Sequence, residues 1–122
     1  MARILVIDDD ELVRETLEIV LHDAGHDVSL AENGRVGLAL LERLPQDLVI
    51  CDLFMPEMEG LETMGHIREH HGDLKIIAIS GGSRVAAQQS YLEDAEILGA
   101  DASLSKPFQN SELLALIEHL LG

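Results

Sequence analysis

The chain has 122 residues, enough for one domain with a single core, and 23 acidic against 8 basic side chains give it a formal charge of −15. That balance argues against a nucleic-acid binder, whose phosphate contacts need clustered Lys and Arg, and it disfavours an anionic membrane surface for the same reason. Hydrophobic residues make up 47% of the chain, with 3 prolines and 10 glycines, so the composition is that of a folded protein rather than a disordered one.

In chain order, Ile4-Leu5-Val6-Ile7 is an unbroken aliphatic run, the pattern of a central parallel strand covered on both faces. Val13, Leu17, Val20, Leu21 and Ala24 then recur at helical spacing, which predicts a helix over about residues 10 to 24, with Asp10 as its cap and Gly25 as its stop. Residues 27 to 31 alternate as a second strand and end at Asn33-Gly34, a turn into a second helix that Pro45 closes. Leu48-Val49-Ile50-Cys51 is a third strand and leaves Asp52 at its carboxyl end. Leu61, Met64 and Ile67 mark a third helix, interrupted at Gly72. Residues 75 to 79 form a fourth strand, followed by Ser80-Gly81-Gly82. A weaker helical period runs through Val85, Gln88, Leu92, Ala95 and Leu98 to Gly99. Residues 102 to 105 make a short fifth strand, and Asn110 or Ser111 is expected to cap a last helix carrying Leu113, Leu114, Ile117, Leu120 and Leu121.

Strands joined by helices in this way give a doubly wound (βα)5 parallel sheet, in which ligands bind outside the carboxyl ends of the strands, at the topological switch point. That rule selects Asp8 and Asp9 after the first strand, Asp52 after the third, Ser80 after the fourth and Lys106 after the fifth. Carboxylates crowded into one crevice repel unless a pKa rises or a cation binds. Oxygen donors without His or Cys suit a hard ion, and so few carboxylates suit Mg2+ better than Ca2+. A carboxylate facing a metal-bound phosphoryl group can act as a nucleophile, with Lys106 and the Ser80 hydroxyl binding phosphoryl oxygens.

Three motifs carry a family resemblance over essentially the whole chain: Ile4 to Asp10, the run Asp52-Leu53-Phe54-Met55-Pro56-Glu57-Met58-Glu59-Gly60, and Lys106-Pro107-Phe108. The sequence resembles the receiver domain of two-component response regulators. That resemblance implies a flavodoxin-like sheet of strand order 2-1-3-4-5 and makes Asp52 the acceptor of a phosphoryl group from a phosphohistidine. It implies Mg2+ ligation by Asp9, Asp52 and the backbone carbonyl of Phe54, with Asp8 assisting through water. Ser80 and Lys106 would contact the phosphoryl group, and the Lys106-Pro107 bond would be cis, an isomer found at about 5–6% of X-Pro bonds.

The same resemblance implies a switch in which added charge draws the Ser80 loop and Lys106 inward and alters a surface made by the fourth helix, the fifth strand and the last helix. Two departures bear on it. Ser103 stands where the family usually has an aromatic residue, so aromatic switching cannot operate through that residue. The segment from Ser80 to Gly99 is also longer than usual, which points to an extended loop or a displaced fourth helix, with Tyr91 as a substitute reporter.

Other features have plainer readings. Cys51, the sole cysteine, cannot form an internal disulfide and reads as a small core residue of a reduced, intracellular protein. The N-terminal apolar run is too short for a signal sequence, and no stretch approaches the roughly 20 apolar residues of a membrane span, so the expected location is the cytoplasm. His22/His26 and His66/His70, with His71 as a third histidine on the third helix, have metal-compatible spacing but read as solvated helix faces. Gly81-Gly82 lacks the spacing of a phosphate-binding loop and reads as a source of loop mobility.

The reading that results is a single receiver domain over residues 1–122 with no output domain. It is a phosphoacceptor rather than an enzyme acting on a substrate, and it undergoes only self-phosphorylation and self-dephosphorylation. Its expected partners are a histidine kinase or histidine phosphotransfer protein and a downstream protein target, with no nucleic acid and no membrane. The alternative is a pseudo-receiver that binds partners constitutively without phosphorylation. A flavin binder is disfavoured by the acidic first loop and the few aromatic residues, and an aspartate-dependent phosphatase by Phe54 standing where a second Asp is needed.

Overall fold

Ile4, Leu5, Val6 and Ile7 are fully buried in the computed structural model, which describes residues 2–53, 60–80 and 99–122. They belong to β1 (Arg3–Ile7), which is flanked by β2 (Asp27–Ala31) and β3 (Leu48–Asp52); β4 (Lys75–Ser80) and β5 (Ala102–Ser105) complete the sheet. All neighbouring pairs are parallel and the order is β2-β1-β3-β4-β5. The expected doubly wound sheet and its strand order are both present.

Alternation along the strands sorts the core into two layers. Ile4, Val6, Leu48, Ile50, Ile77 and Ile79 pack with Leu17 and Leu21 of α1 (Glu11–Asp23) and with Leu113 and Ile117 of the helix Asn110–Leu121. Leu5, Ile7, Val49, Cys51, Ile76 and Ala78 pack instead with Leu41 of α2 (Gly34–Arg43) and with Met64 and Ile67 of α3 (Gly60–His70). Helices on both faces explain why the central strands read as continuous apolar runs. Each fully buried Ile or Leu contributes roughly 1.5–3 kcal/mol, so the sheet is the rigid part on which a site can be mounted.

Local chemistry sets the helix ends. The Asp10 carboxylate accepts the Leu12 N–H at 2.9 Å and caps α1, and Gly25, at φ 93°, turns the chain out of it. Asn33 caps α2 by accepting from the Val36 N–H at 2.9 Å. The last helix, here α4 (Asn110–Leu121), departs from expectation, because Gln109 rather than Asn110 or Ser111 holds the cap position. The reason is Glu112, whose carboxylate reaches back to accept the Gln109 N–H at 3.2 Å. His71 is a second correction: α3 ends at His70, and His71 lies just beyond it, with Nε2 3.8 Å from the Glu42 carboxylate.

The expected fourth helix over residues 85 to 98, the Gly81-Gly82 loop, Tyr91, the Phe54 carbonyl and the side chain of Leu61 lie outside the described residues. Gly99, expected to stop that helix, has a φ of 118°.

Candidate functional site

The chain leaves β1 toward β2 on one side and later enters β3 on the other side of β1, so the switch point lies between the carboxyl ends of β1 and β3. Asp8 and Asp9 follow β1, and Asp52 is the last residue of β3. Asp8 and Asp52 are buried while Asp9 is exposed, and one carboxylate oxygen from each lies within 4.8 Å of the others. The three acids selected from the sequence therefore meet at one place.

Asp8 is held from several directions. Its backbone N–H donates to the Ala31 carbonyl at 3.1 Å, its Oδ1 accepts the Asp10 N–H at 2.9 Å, and its own carbonyl accepts from the Arg14 guanidinium at 2.7 Å. Lys106 enters from the end of β5. Its Nζ donates to Asp8 Oδ2 at 2.9 Å and lies 3.7 Å from Asp52 Oδ2. The Lys106-Pro107 bond is cis, and the Lys106 N–H donates to the Ser80 carbonyl at 2.7 Å. Ser80, the last residue of β4, is fully buried; the register pairs it with Ser105 and pairs its neighbour Ile79 with Asp52. Ser103 is half-buried in β5 opposite Ala78.

Electrostatics follow from this crowding. Burial works to lower the Lys106 pKa, yet the hydrogen bond that Lys106 donates to Asp8 and the charges of Asp52, Asp8 and Asp10 outweigh it and raise the pKa overall. Lys106 is therefore a permanent ammonium at neutral pH. Next to Asp52 in β3, Cys51 is completely buried, and burial together with the charges of Asp52 and Asp8 pushes its thiol far up, so it stays protonated. Its Sγ–H points at the Asp52 carbonyl at 3.5 Å, in keeping with a core residue rather than a nucleophile.

Two residues given no role from the sequence shape this site. Gly60, the first residue of α3, lies against the backbone of Asp52 and Leu53; a Cβ there would come within 2.5 Å of Leu53 Cα and would also strike the Asp52 carbonyl oxygen. The sequence signal was a glycine closing the motif that begins at Asp52. Arg14, one helical turn after Asp10, fixes the Asp8 carbonyl, and only its spacing from Asp8 hinted at that.

The donor set is suited to a hard cation. The three carboxylates have no imidazole or thiolate among them, and Lys106 sits against two of them. Mg2+ fits this chemistry, with the Phe54 carbonyl lying outside the described residues.

A family model described as the response regulator receiver domain matches residues 4–118. Response regulator MprA of Mycolicibacterium vanbaalenii is 40% identical over 119 residues, which cover 98% of this chain and 50% of that protein. A probable transcriptional regulatory protein of Picosynechococcus is 35% identical over 127 residues, covering 98% and 49%. The chain thus spans about half the length of the curated relatives it matches, and these lend no support to the stand-alone expectation. Among solved structures, the Vibrio cholerae chemotaxis protein CheY4 superposes with a TM-score of 0.87 at 29% identity over 99% of both chains. NtrX from Brucella abortus in complex with ADP gives 0.88 at 29% identity, over 98% of this chain and 27% of the other.

Proposed function

The chain belongs to the response regulator receiver domain family, and from that premise we propose that residues 1–122 act as a phosphoacceptor unit in which Asp52 takes a phosphoryl group from a phosphohistidine. The observation that carries this reading is the position of Lys106 Nζ, 2.9 Å from Asp8 and 3.7 Å from Asp52, at the mouth of the β1/β3 switch point. In the transfer, a carboxylate oxygen of Asp52 bonds to phosphorus, the phosphorus–nitrogen bond of the donor breaks, and its electron pair leaves with the imidazole. Lys106 and the Ser80 hydroxyl would bind the oxygens of the incoming group.

Asp9 and Asp52 would hold Mg2+ directly, with the Phe54 carbonyl as a third protein donor and Asp8 acting through water. When bound, the ion neutralises phosphoryl oxygens that would otherwise be repelled by the acids. Asp8 meanwhile keeps Lys106 aimed into the crevice. The product is an acyl phosphate whose charge and acceptor oxygens bias the surrounding loops, and contacts with a downstream protein change as a result. The phosphodonor would be a histidine kinase or histidine phosphotransfer protein meeting this unit in the cytoplasm. No helix among the described residues is long and apolar enough to cross a membrane.

Incubation with Mg2+ and acetyl phosphate, followed by intact mass, tests the reading. The expected result is one added phosphoryl group, absent in Asp52→Asn. Failure of the wild-type chain to gain mass from acetyl phosphate and from a phosphorylated histidine protein would transfer support to a constitutive interaction module.

A further inference from the structure

Two histidine pairs share the i, i+4 spacing, and the fold treats them differently. His26 falls beyond α1, after the turn at Gly25, and its Nδ1 accepts the Ala2 N–H at 3.1 Å, so it is committed to the backbone. His66 and His70 both lie within α3, one turn apart, with rings stacked at 6.5 Å between centroids and 9° between planes. Glu69 joins them: one donor atom from each of the three lies within 4.8 Å of the others.

The neighbouring cation is directed elsewhere. Arg68, two residues from each histidine and therefore roughly 200° around the helix, points away from this face. Its guanidinium donates to the carbonyls of Gly72, Leu74 and Gly99 and to the Asp101 carboxylate. These bonds tie Arg68, in the last turn of α3, to the segment that follows the helix and to the approach to β5, so the end of the helix that carries the two imidazoles is anchored and less freedom is lost when they take up a ligand.

We infer that His66, Glu69 and His70 bind a divalent transition-metal ion of the zinc class, at a site separate from the carboxylates of the sheet. Imidazole nitrogens favour Zn2+, Ni2+ and Cu2+ over Mg2+, and two imidazoles with one carboxylate complete three of four tetrahedral positions, leaving the fourth to water. The chain's excess of acidic residues raises the local concentration of any cation. The two donor sets therefore sort metals by hardness: all-oxygen at the switch point, nitrogen-rich on α3.

The test is calorimetric titration of Zn2+ into the full chain with Mg2+ present in excess, using wild type, H66Q, H70Q and D52N, each checked for folding by circular dichroism. We expect one Zn2+ per chain, with affinity reduced more than about tenfold in either histidine variant, at least the loss that removal of an outer-shell partner causes. D52N should bind as wild type does, and the His66 and His70 ring proton resonances should be the ones that respond to Zn2+. Equal affinity in wild type and both histidine variants, loss of binding in D52N, or no binding by wild type would each overturn the assignment.

Discussion

The two ends of the sheet handle charge in opposite ways. At the amino end, Arg68 meets Asp101 at 3.0 Å, the Asp101 carboxylate also accepts the Ile76 N–H at 2.8 Å, and the Asp47 carboxylate accepts the Arg3 N–H at 2.8 Å. Each of these acids closes a gap between elements, and its charge is spent on holding strands and helix ends in place. At the carboxyl end, Asp8, Asp9 and Asp52 are gathered in one place, two of the three are buried, and Lys106 pairs with those two. Carboxylates gathered this densely suit a cation, and under the proposed function this end would be where stability is traded for activity.

Variants that separate the two ends should show the largest effects. Lys106→Met should slow phosphoryl uptake from acetyl phosphate by roughly 10²–10³-fold, the usual cost of losing a charge-stabilising donor. Arg68→Ala should leave that rate unchanged in the folded protein, measured by the same mass assay. Its effect belongs to stability instead: loss of a charged hydrogen-bonding hub that is about a quarter exposed should cost about 2 kcal/mol in urea unfolding. A rate loss in Arg68→Ala comparable with that of Lys106→Met would mean the two ends are coupled.

Smaller effects sharpen the contrast. Mg2+ at ten times its Kd should stabilise the chain by about 1.4 kcal/mol if it binds only the folded state. Asp9→Asn should remove most of that gain in the same unfolding experiment, whereas Asp101→Asn should keep it. The pH dependence of Lys106 gives the smallest signal. Because its folded pKa is raised, its contribution is fully present below the unfolded value of about 10.4 and is lost as pH climbs through the folded value. The stability difference between wild type and Lys106→Met should therefore stay flat from neutrality to about pH 10 and shrink above it.

The sequence made the carboxyl end far more legible than the amino end. β1 and β3 are continuous apolar runs because both faces are covered, and each stops at the acids that form the site, so run and function announce each other. Ser80 and Lys106 follow from the same rule. The amino end offers no such cue: Arg68 and Asp101 are 33 positions apart, and nothing local marks them as partners. Gly60 was hidden because a close approach between α3 and Asp52 is a tertiary fact. The Gln109 cap was missed because the decisive group, Glu112, acts back from three residues ahead. The histidine pairs show the same limit in another form, since identical spacing yields one split pair and one intact one, decided by whether Gly25 ends the helix first.

Cys51 offers a use that none of these interactions suggests. Its thiol is sealed between sheet and helices and held protonated, so an alkylating reagent can reach it only when the core opens. As the sole cysteine in the chain, it makes modification a single-site clock. Timing that reaction before and after phosphoryl uptake would report how tightly the centre of the sheet closes around Asp52, its immediate neighbour, with no label added to the protein.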